Sequence, residues 1–292
     1  MNPKIVELKI KALSIQGAEN IAKEAVKSLS FTARHANAKH AKELINKLRK
    51  TKNELVRTRQ TEPCMFNAVS FALGGLQGKT LESVRRTVFF NAGRVLSHFE
   101  HSDKKIACLG AGLVKNNSII FTHCHSSSVV NVLKEAKRQR KKFEVYSTET
   151  RPMLQGRRTA KELSAAGIRI THFVDSAAGA AIKKADAVFL GCDAISAKGY
   201  IINKVGSGMF AEIAKNHGVP VFVFSDSWKF DRRSIHSRIM VEERSPREVW
   251  RNPPKGIKVE NPAFERIDFC LIKKIVSEKG VLAPKQLLKK LL

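Results

Sequence analysis

Short apolar runs of strand length alternate with helical stretches in the second half of the chain, and this alternation constrains the fold most. Helical patterns lie at 126–141, 156–166, 176–185 and 207–217. Such alternation is typical of βαβ units, and near-continuous apolar runs are typical of parallel strands buried on both faces. The sequence therefore predicts a Rossmann-like, mostly parallel α/β domain. The strand candidates are KIACLG (105–110), SIIFTH (118–123), KFEVYST (142–148), IRITHFV (168–174), DAVFLG (186–191) and VPVFVF (219–224).

The first hundred residues show only helical spacing of their apolar side chains, without a strand pattern. We therefore predict an α/β protein with an N-terminal helical domain over residues 1–101 and the Rossmann-like domain over 102–292. The proline-containing region 231–262 is predicted to be largely loop. A last amphipathic helix is predicted over 267–278.

Composition indicates a globular protein, since 43% of the residues are hydrophobic and 27% are charged. No apolar stretch approaches the roughly 20 residues that span a bilayer. The N-terminal sequence MNPKIVELKIKALSIQG is amphipathic and has no apolar signal-peptide core, so we predict a cytoplasmic location. The five cysteines include no CxxC pair, which argues against a disulfide framework and a structural zinc site.

The formal charge of +27 permits two interpretations. A generally basic proteome explains it without any binding role, whereas clustered Lys and Arg supply phosphate affinity in nucleic-acid-binding proteins. The densest run, KEAKRQRKK at 134–142, lies at the end of a predicted helix, where cations face the helix dipole favourably. Aromatic residues are not interleaved with it and make up only 7% of the chain, so stacking platforms are expected to be scarce. Nucleic acid is therefore a partner that the sequence allows but does not favour.

Three segments carry the chemistry: THCHSSS from Thr122, LGCDAI from Leu190 and INKVGSG from Ile202. Each follows an apolar run of strand length. In open α/β sheets, ligands bind outside the carboxyl ends of the strands. We therefore expect a thiol (Cys124), a carboxylate (Asp193) and a lysine (Lys204) on one rim.

Cys124 lies where a predicted strand ends and a helix begins, a setting that lowers a thiol pKa. The alternative is a small buried residue at a strand end. His123 and His125 flank it but point to opposite faces of an extended chain, so we predict no metal site. The serines that follow, beginning with Ser126, suit a helix N-cap, an anion cradle, or both.

Asp193 suits general acid or base catalysis if it is partly desolvated, and an ordinary turn is its alternative. The segment NKVGSG resembles a phosphate grip, with Asn203 and Lys204 before a helix N-terminus, but it is not a Walker A loop. TETRPMLQGRR at 148–158 offers Arg151, whose guanidinium suits a phosphate or carboxylate.

These segments resemble one superfamily when they are taken in order. It comprises ribose-1,5-bisphosphate isomerases, methylthioribose-1-phosphate isomerases and the regulatory subunits of translation initiation factor 2B. The resemblance covers nearly the whole chain. The motifs that carry it are SIQGAENIA, TRQTEPCMFNAV, THCHSSS, TETRPMLQGRR, FVDSAAG, LGCDAI, INKVGSG, SDSWKF and NPAFERID.

Two motifs resemble the ribose-1,5-bisphosphate isomerases more than the methylthioribose-1-phosphate isomerases. They are TETRP followed by QG, and VDSAA. It implies conversion of ribose 1,5-bisphosphate to ribulose 1,5-bisphosphate in AMP salvage, without metal or nucleotide cofactor. Cys124 and Asp193 correspond to the catalytic pair. Asp193 would help to open the furanose ring, and Cys124 would exchange the proton on carbon. The phosphate and substrate ligands implied are Gln16, Gly17, Ala18, Arg59, Ser126, Arg151, Gln155, Gly156, Asn203, Lys204 and Lys229.

One residue departs from the pattern of the isomerases. Their first phosphate motif usually reads Arg-Gly-Ala, and here it is Gln16-Gly17-Ala18. Losing a hydrogen bond to a charged group costs about 1.5–3 kcal/mol, which Arg57 or Arg59 would have to offset. Glu62 is also unexpected beside a phosphate.

The alternative implied by the resemblance is a non-catalytic regulatory subunit. Such a subunit binds protein partners and a nucleotide or sugar-phosphate effector, and it often lacks one or both of the catalytic pair. Family members associate through the α/β domain, so a homo-oligomer, either a dimer or a hexamer, is expected. AMP is expected as an effector, and no membrane partner is expected.

Overall fold

The computed structural model describes residues 1–12, 14–59, 62–77 and 80–292, which form two compact units, Met1–His101 and Ser102–Leu292. The first unit is helical, and its described residues include no strand, as predicted. The division between the units falls within the fifth helix. The helices are α1 (Pro3–Lys11), α2 (Ala18–His35), α3 (Ala41–Thr58), α4 (Pro63–Ala72) and α5 (Leu81–Ala111).

Apolar spacing and end residues explain these helices. In α3 the buried residues Leu44, Leu48, Thr51 and Leu55 recur every three or four positions and form one stripe. Proline lies in the first turn of α1 and α4, where its missing N–H has no helical acceptor to lose. None of the described helices is long and apolar enough to cross a bilayer.

The second unit is an α/β domain. Its helices are α6 (Ser127–Arg138), α7 (Gln155–Ala165), α8 (Ala178–Ile182), α9 (Ser207–Asn216) and α10 (Pro284–Leu291). Its strands are β1 (Ser118–Thr122), β2 (Phe143–Thr148), β3 (Arg169–Phe173), β4 (Ala187–Leu190), β5 (Ala194–Ser196), β6 (Tyr200–Lys204), β7 (Val221–Phe224), β8 (Phe230–Asp231), β9 (Phe264–Asp268), β10 (Lys274–Ser277) and β11 (Gly280–Leu282).

The main sheet has seven strands in the order β11-β10-β7-β4-β1-β2-β3. All neighbours are parallel except β10 and β11. From β1 the chain proceeds to β2 and β3 on one side and then crosses to β4 on the other, so the direction of winding reverses between β1 and β4. One hydrophobic core covers each face of this sheet, around Phe121 and Phe210 on one face and around Ile120 and Phe189 on the other. The predicted Rossmann-like architecture is confirmed.

A smaller sheet, with strand order β8-β5-β6-β9, was not predicted. Its strands are two to five residues long, and β5, β6 and β9 pair antiparallel. Lys204 is the last residue of β6. The segment between β8 and β9 is largely irregular, as predicted for 231–262, apart from short 3₁₀ turns at Arg232–Ile235 and Pro246–Glu248.

Two predicted elements are wrong. KIACLG at 105–110 is helix, the end of α5. Its buried positions, Ile106 and Gly110, are four apart, and a Cβ on Gly110 would lie 2.5 Å from Val132 of α6, so glycine permits a close helix contact. The helix predicted over 267–278 is instead the end of β9, a 3₁₀ turn and β10, because Ile275 pairs with Val223 of β7 in the main sheet. Short apolar runs do not distinguish helix from strand.

Candidate active site

The residues that follow β1 and β4 meet at one edge of the main sheet. Cys124 comes two residues after β1, and Asp193 comes three residues after β4. The two strands are parallel neighbours, with Thr122 opposite Phe189. The charges of Lys204 and Asp193 both act on the Cys124 thiol. The predicted rim is therefore present, and it lies where the winding of the sheet reverses, the usual ligand position in such folds.

Cys124 adopts a left-handed backbone conformation, with φ at +65°. Its N–H donates to Thr150 Oγ1 at 2.9 Å, and its carbonyl oxygen accepts from Thr159 Oγ1 at 2.8 Å. Thr150 is itself left-handed, also with φ at +65°. Non-glycine residues in this region are strained and persist only where their surroundings fix them. These two threonines fix the position of Cys124.

Asp175 holds the Thr150 turn in place. Its carboxylate accepts the N–H of Thr150 at 2.8 Å and the N–H of Arg151 at 2.7 Å. Asp175 begins the 3₁₀ turn after β3, so it reaches the site from a third parallel strand. The prediction of individual site residues missed Asp175, Thr150 and Thr159. The same signal that identified Asp193, an acidic residue just after a strand, would have found Asp175.

The Cys124 thiol is protonated at neutral pH. Burial raises its pKa to about 11, although the positive charge of Lys204 lowers it; Asp193 and Asp175 raise it further. The prediction of a lowered thiol pKa is therefore wrong, because burial has the largest effect on it. That helix begins at Ser127, and its N-cap Ser126 accepts the N–H of Val129 at 3.4 Å, as the N-cap prediction requires.

The two histidines beside Cys124 have separate partners. His123 is buried, with Nδ1 at 2.6 Å from Thr148 Oγ1 and Nε2 at 2.9 Å from the carbonyl oxygen of Val205. Nε2 must donate to that carbonyl, so Nδ1 accepts from the threonine in the neutral ring. His125 Nδ1 lies 3.1 Å from Thr159 Oγ1. The two rings therefore hydrogen-bond to different residues, and the absence of a metal site at these histidines stays a prediction.

Burial lowers the pKa of His123 to about 4, and the hydrogen bond to the Val205 carbonyl oxygen and the charge of Asp175 offset only part of this. The unfolded chain binds the proton near pH 6.5, so acid favours unfolding between pH 6.5 and 4. We expect His123 to contribute a loss of up to about 1.4 kcal/mol per pH unit in the free energy of unfolding over this range. Urea titrations at pH 7, 6 and 5 measure it, and His123→Gln should flatten the slope. The exposed His217→Gln is the control, and an equal slope in wild type and His123→Gln would contradict the expectation.

Two buried lysines and a buried asparagine lie near the N-terminus of α9 and the end of β4. Asn203, Lys204 and Lys229 are all buried. Asn203 Nδ2 donates to Ser207 Oγ at 2.9 Å in the first turn of α9, and Lys229 Nζ donates to the Cys192 carbonyl oxygen at 2.6 Å. Lys204 Nζ lies 4.8 Å from the centre of the Phe264 ring. A buried lysine charge needs a negative partner, and a helix N-terminus also favours an anion. This arrangement therefore suits the predicted phosphate grip.

Glycines bring the loops of this edge close together. A Cβ on Gly191 would lie 2.8 Å from Ser126 Oγ, so the end of β4 approaches the start of α6. A Cβ on Gly156 would lie 1.7 Å from the Thr148 carbonyl oxygen, so the start of α7 lies against the end of β2. Ser126 is two residues from Cys124 in the chain, and Thr148 is two residues from Thr150, which accepts the Cys124 N–H.

The remaining candidates of the second unit differ in exposure. Arg151 is exposed, and its Nη2 donates to the Val249 carbonyl oxygen at 3.2 Å. Gln155 is half-buried, and its Oε1 is buried without a hydrogen-bond partner among the described residues. A buried unsatisfied amide oxygen favours a ligand donor nearby.

The candidates of the helical unit stay predictions. Gly17, with φ at +86°, is the N-cap of α2, and Ala18 is buried in the first turn. The Gln16 carbonyl oxygen accepts from Asn20 Nδ2 at 3.3 Å. Arg59 Nη1 lies 3.6 Å from Glu62 Oε1, so an acidic neighbour offsets its charge. Gln60 and Thr61 of the same motif lie outside the described residues.

The chain resembles known proteins over nearly its full length. A model of the initiation factor 2 subunit family matches residues 14–284. A ribose 1,5-bisphosphate isomerase from Pyrococcus furiosus is 35% identical, with 94% of this chain and 89% of the relative covered. A 5-methylthioribose 1-phosphate isomerase structure from Pyrococcus horikoshii OT3 has a TM-score of 0.82 at 28% identity, covering 99% of this chain and 87% of that one. A translation initiation factor eIF-2B structure from the same organism has a TM-score of 0.86 over 97% and 98%, and at 23% identity it shows the fold alone.

Proposed function

The chain belongs to the initiation factor 2 subunit family, and on this basis we propose that it is a sugar-phosphate aldose–ketose isomerase. More specifically, we propose that it converts ribose 1,5-bisphosphate to ribulose 1,5-bisphosphate. Ribose 1,5-bisphosphate is the substrate in the name of the relative that is 35% identical. One observation carries the proposal: a thiol and a carboxylate share one edge of the sheet with a buried lysine. Such an edge supplies two proton carriers and an anion site.

The proposed reaction moves protons and breaks one ring bond. Cys124, as thiolate, removes the proton on C2 of the sugar while protonated Asp193 gives a proton to the ring oxygen. The bond between C1 and the ring oxygen breaks, and a C1–C2 double bond forms with the phosphate still on C1. Asp193 then takes the proton of the C2 hydroxyl, and Cys124 returns its proton to C1. The product is the 2-ketose, and both residues regain their starting protonation.

The proposed phosphate ligands follow the distribution of charge. Lys204, Asn203 and Lys229 are buried polar groups at the N-terminus of α9 and beside Asp193, where they would hold one phosphate. Backbone N–H groups at the start of α6 would stabilise the negative charge that develops on oxygen. The second phosphate is assigned to the other predicted ligands of the second unit, which are Ser126, Arg151, Gln155 and Gly156. The roles of Gln16, Gly17, Ala18 and Arg59 stay predictions.

Turnover by the purified protein tests the function. We expect ribulose 1,5-bisphosphate to form from ribose 1,5-bisphosphate, followed by ³¹P NMR, with and without AMP. Because the proposed step needs the Cys124 thiolate together with protonated Asp193, and a rise in pH gains the first as it loses the second, kcat/KM should change little between pH 7 and 9. Absence of turnover under all these conditions contradicts the proposal. Turnover of methylthioribose 1-phosphate instead would keep the reaction class and overturn the substrate.

A regulatory role is the second candidate, and Gln16 in place of the arginine of the isomerases favours it. Restoring the charge separates the two functions. Gln16→Arg should lower KM for the bisphosphate if the chain is an isomerase, and it should leave a non-catalytic subunit inactive. AMP as effector, a dimeric or hexameric assembly, a place in AMP salvage and a cytoplasmic location remain proposals.

A further inference from the structure

The helical unit has a groove that the proposed isomerase reaction does not use. It lies between α2 and α5 and has a volume of about 410 Å³, which is within the range of ligand sites in proteins. It is open at Gly93, where an added Cβ would meet nothing within 4 Å. The described lining residues are Met1, Lys27, Ser30, Phe31, Arg34, His35, Phe89, Ala92, Gly93 and Leu96.

Aromatic rings dominate this groove and its edge. The rings of Phe31 and His35 are 4.3 Å apart, and Phe89 contributes a third ring. Phe90, next to Phe89 on α5, is 66% exposed. Single exposed apolar side chains are common on protein surfaces, but Phe90 adjoins Phe89 of the groove, and a continuous apolar patch favours a binding role. The stacking surfaces that composition predicted to be scarce are therefore gathered in one place.

Arginine side chains lie over the faces of these rings. The Arg34 guanidinium lies 5.3 Å from the centre of the Phe89 ring. Arg94 lies 5.9 Å from the Phe90 ring and 4.9 Å from the Phe71 ring. Arg86 is one helical turn before Phe90 on the same exposed face of α5. Lys27 is partly neutralised by Glu24 at 2.7 Å, and none of the described lining residues is acidic.

We infer that this surface binds single-stranded RNA. We call it the α2–α5 face, and it comprises Phe31, Arg34, His35, Arg86, Phe89, Phe90 and Arg94. Exposed rings accept unpaired bases by stacking, and arginines beside them neutralise the backbone phosphates. An acidic protein surface would account for the arginines but not for the exposed aromatic rings. The bases of a duplex are paired and stacked on one another, so they could not stack on these rings. The formal charge of +27 adds a general attraction for polyanions.

Fluorescence anisotropy with the full chain tests the inference. The probe is a fluorescein-labelled RNA of twelve nucleotides without self-complementarity, and a paired duplex of the same length is compared. We expect the single strand to bind more tightly than the duplex. Phe90→Ala should weaken single-strand binding by about 5- to 150-fold, the range for one base stack removed. Arg34→Gln with Arg94→Gln should reduce the slope of log K against log salt concentration by about 1.4, or 0.7 for each phosphate that the double variant no longer neutralises.

Two matched controls lie in the second unit. One is the single variant Trp250→Ala, and the other is the double variant Arg140→Gln with Lys142→Gln. Trp250 is an exposed aromatic residue with Arg247 and Arg251 close to it in the sequence, and Arg140 and Lys142 are exposed cations. Binding in these variants should stay within about twofold of wild type, and thermal melting should show every variant folded. The inference is overturned if the wild type does not bind, if the duplex binds as well, or if Trp250→Ala loses as much affinity as Phe90→Ala. It is also overturned if Phe90→Ala dissociates an oligomer while RNA affinity stays unchanged.

Discussion

Asp193→Asn and Cys124→Ser are each expected to lower kcat for the bisphosphate by about 10²–10⁴-fold, the usual contribution of a positioned acid or base. The asparagine cannot give or take the ring-oxygen proton, and the serine hydroxyl is a far weaker acid than the thiol. Because both residues act in the same two proton transfers, the double variant should lose little more than the worse single variant. Steady-state kinetics at pH 8 measures all three.

The pH profile distinguishes the role of Cys124 from a structural effect. In the wild type the thiolate and protonated Asp193 change in opposite directions with pH, whereas in Asp193→Asn only the thiol titrates, whose pKa burial raises to about 11 and Lys204 lowers. The residual kcat/KM of Asp193→Asn should therefore rise about tenfold per pH unit between pH 7 and 9, and adding Cys124→Ser should abolish that rise. Lys204→Gln removes the charge that lowers the thiol pKa and should reduce kcat/KM by a similar factor throughout pH 7–9, because this whole range lies below that pKa.

Cys270→Ser and Asp268→Asn are the controls for these variants. Both residues are exposed and lie outside the predicted catalytic pair, so the same chemical changes should leave kcat within about twofold. Full activity in Cys124→Ser or in Asp193→Asn would contradict the mechanism even if the wild type turns over the substrate.

The sequence predicted the edge of the sheet on which the site lies, because that prediction needs only the strands and their order. Apolar runs ending at Thr122 and Leu190 indicate two buried parallel strands, and side chains just after parallel strands share one edge. The smaller sheet was missed because β5 and β8 are only three and two residues long, too short for a periodic pattern.

Electrostatics and local strain could not be predicted from the sequence. The thiol pKa depends on burial by segments distant along the chain, and the helix-terminus rule that predicted a lowered value ignores that burial. The left-handed Thr150 and its bonds to Asp175 depend on β2 and β3 lying side by side. The rings of the α2–α5 face come from two helices far apart in sequence, so composition alone could not show that they meet.

Gly156→Ala is expected to destabilise the second unit by at least about 3 kcal/mol, the upper range for overpacking. The added methyl group would lie 1.7 Å from the Thr148 carbonyl oxygen and 2.8 Å from its carbonyl carbon. Both are backbone atoms at the end of β2, so no side-chain rotation relieves the overlap. The melting temperature should fall by roughly 6–12 °C for a unit of this size.

The same substitution should lower activity more than its effect on stability explains. Moving the end of β2 displaces Thr150, whose hydroxyl accepts the N–H of Cys124 at 2.9 Å, and a misplaced proton carrier loses rate steeply. Gly179→Ala is the matched control, because Gly179 lies in α8 with nothing within 4 Å of an added Cβ. That variant should melt at the wild-type temperature or slightly above it, since alanine favours helix over glycine. Equal melting temperatures and equal turnover for the two variants would show that the start of α7 does not hold the Cys124 loop in place.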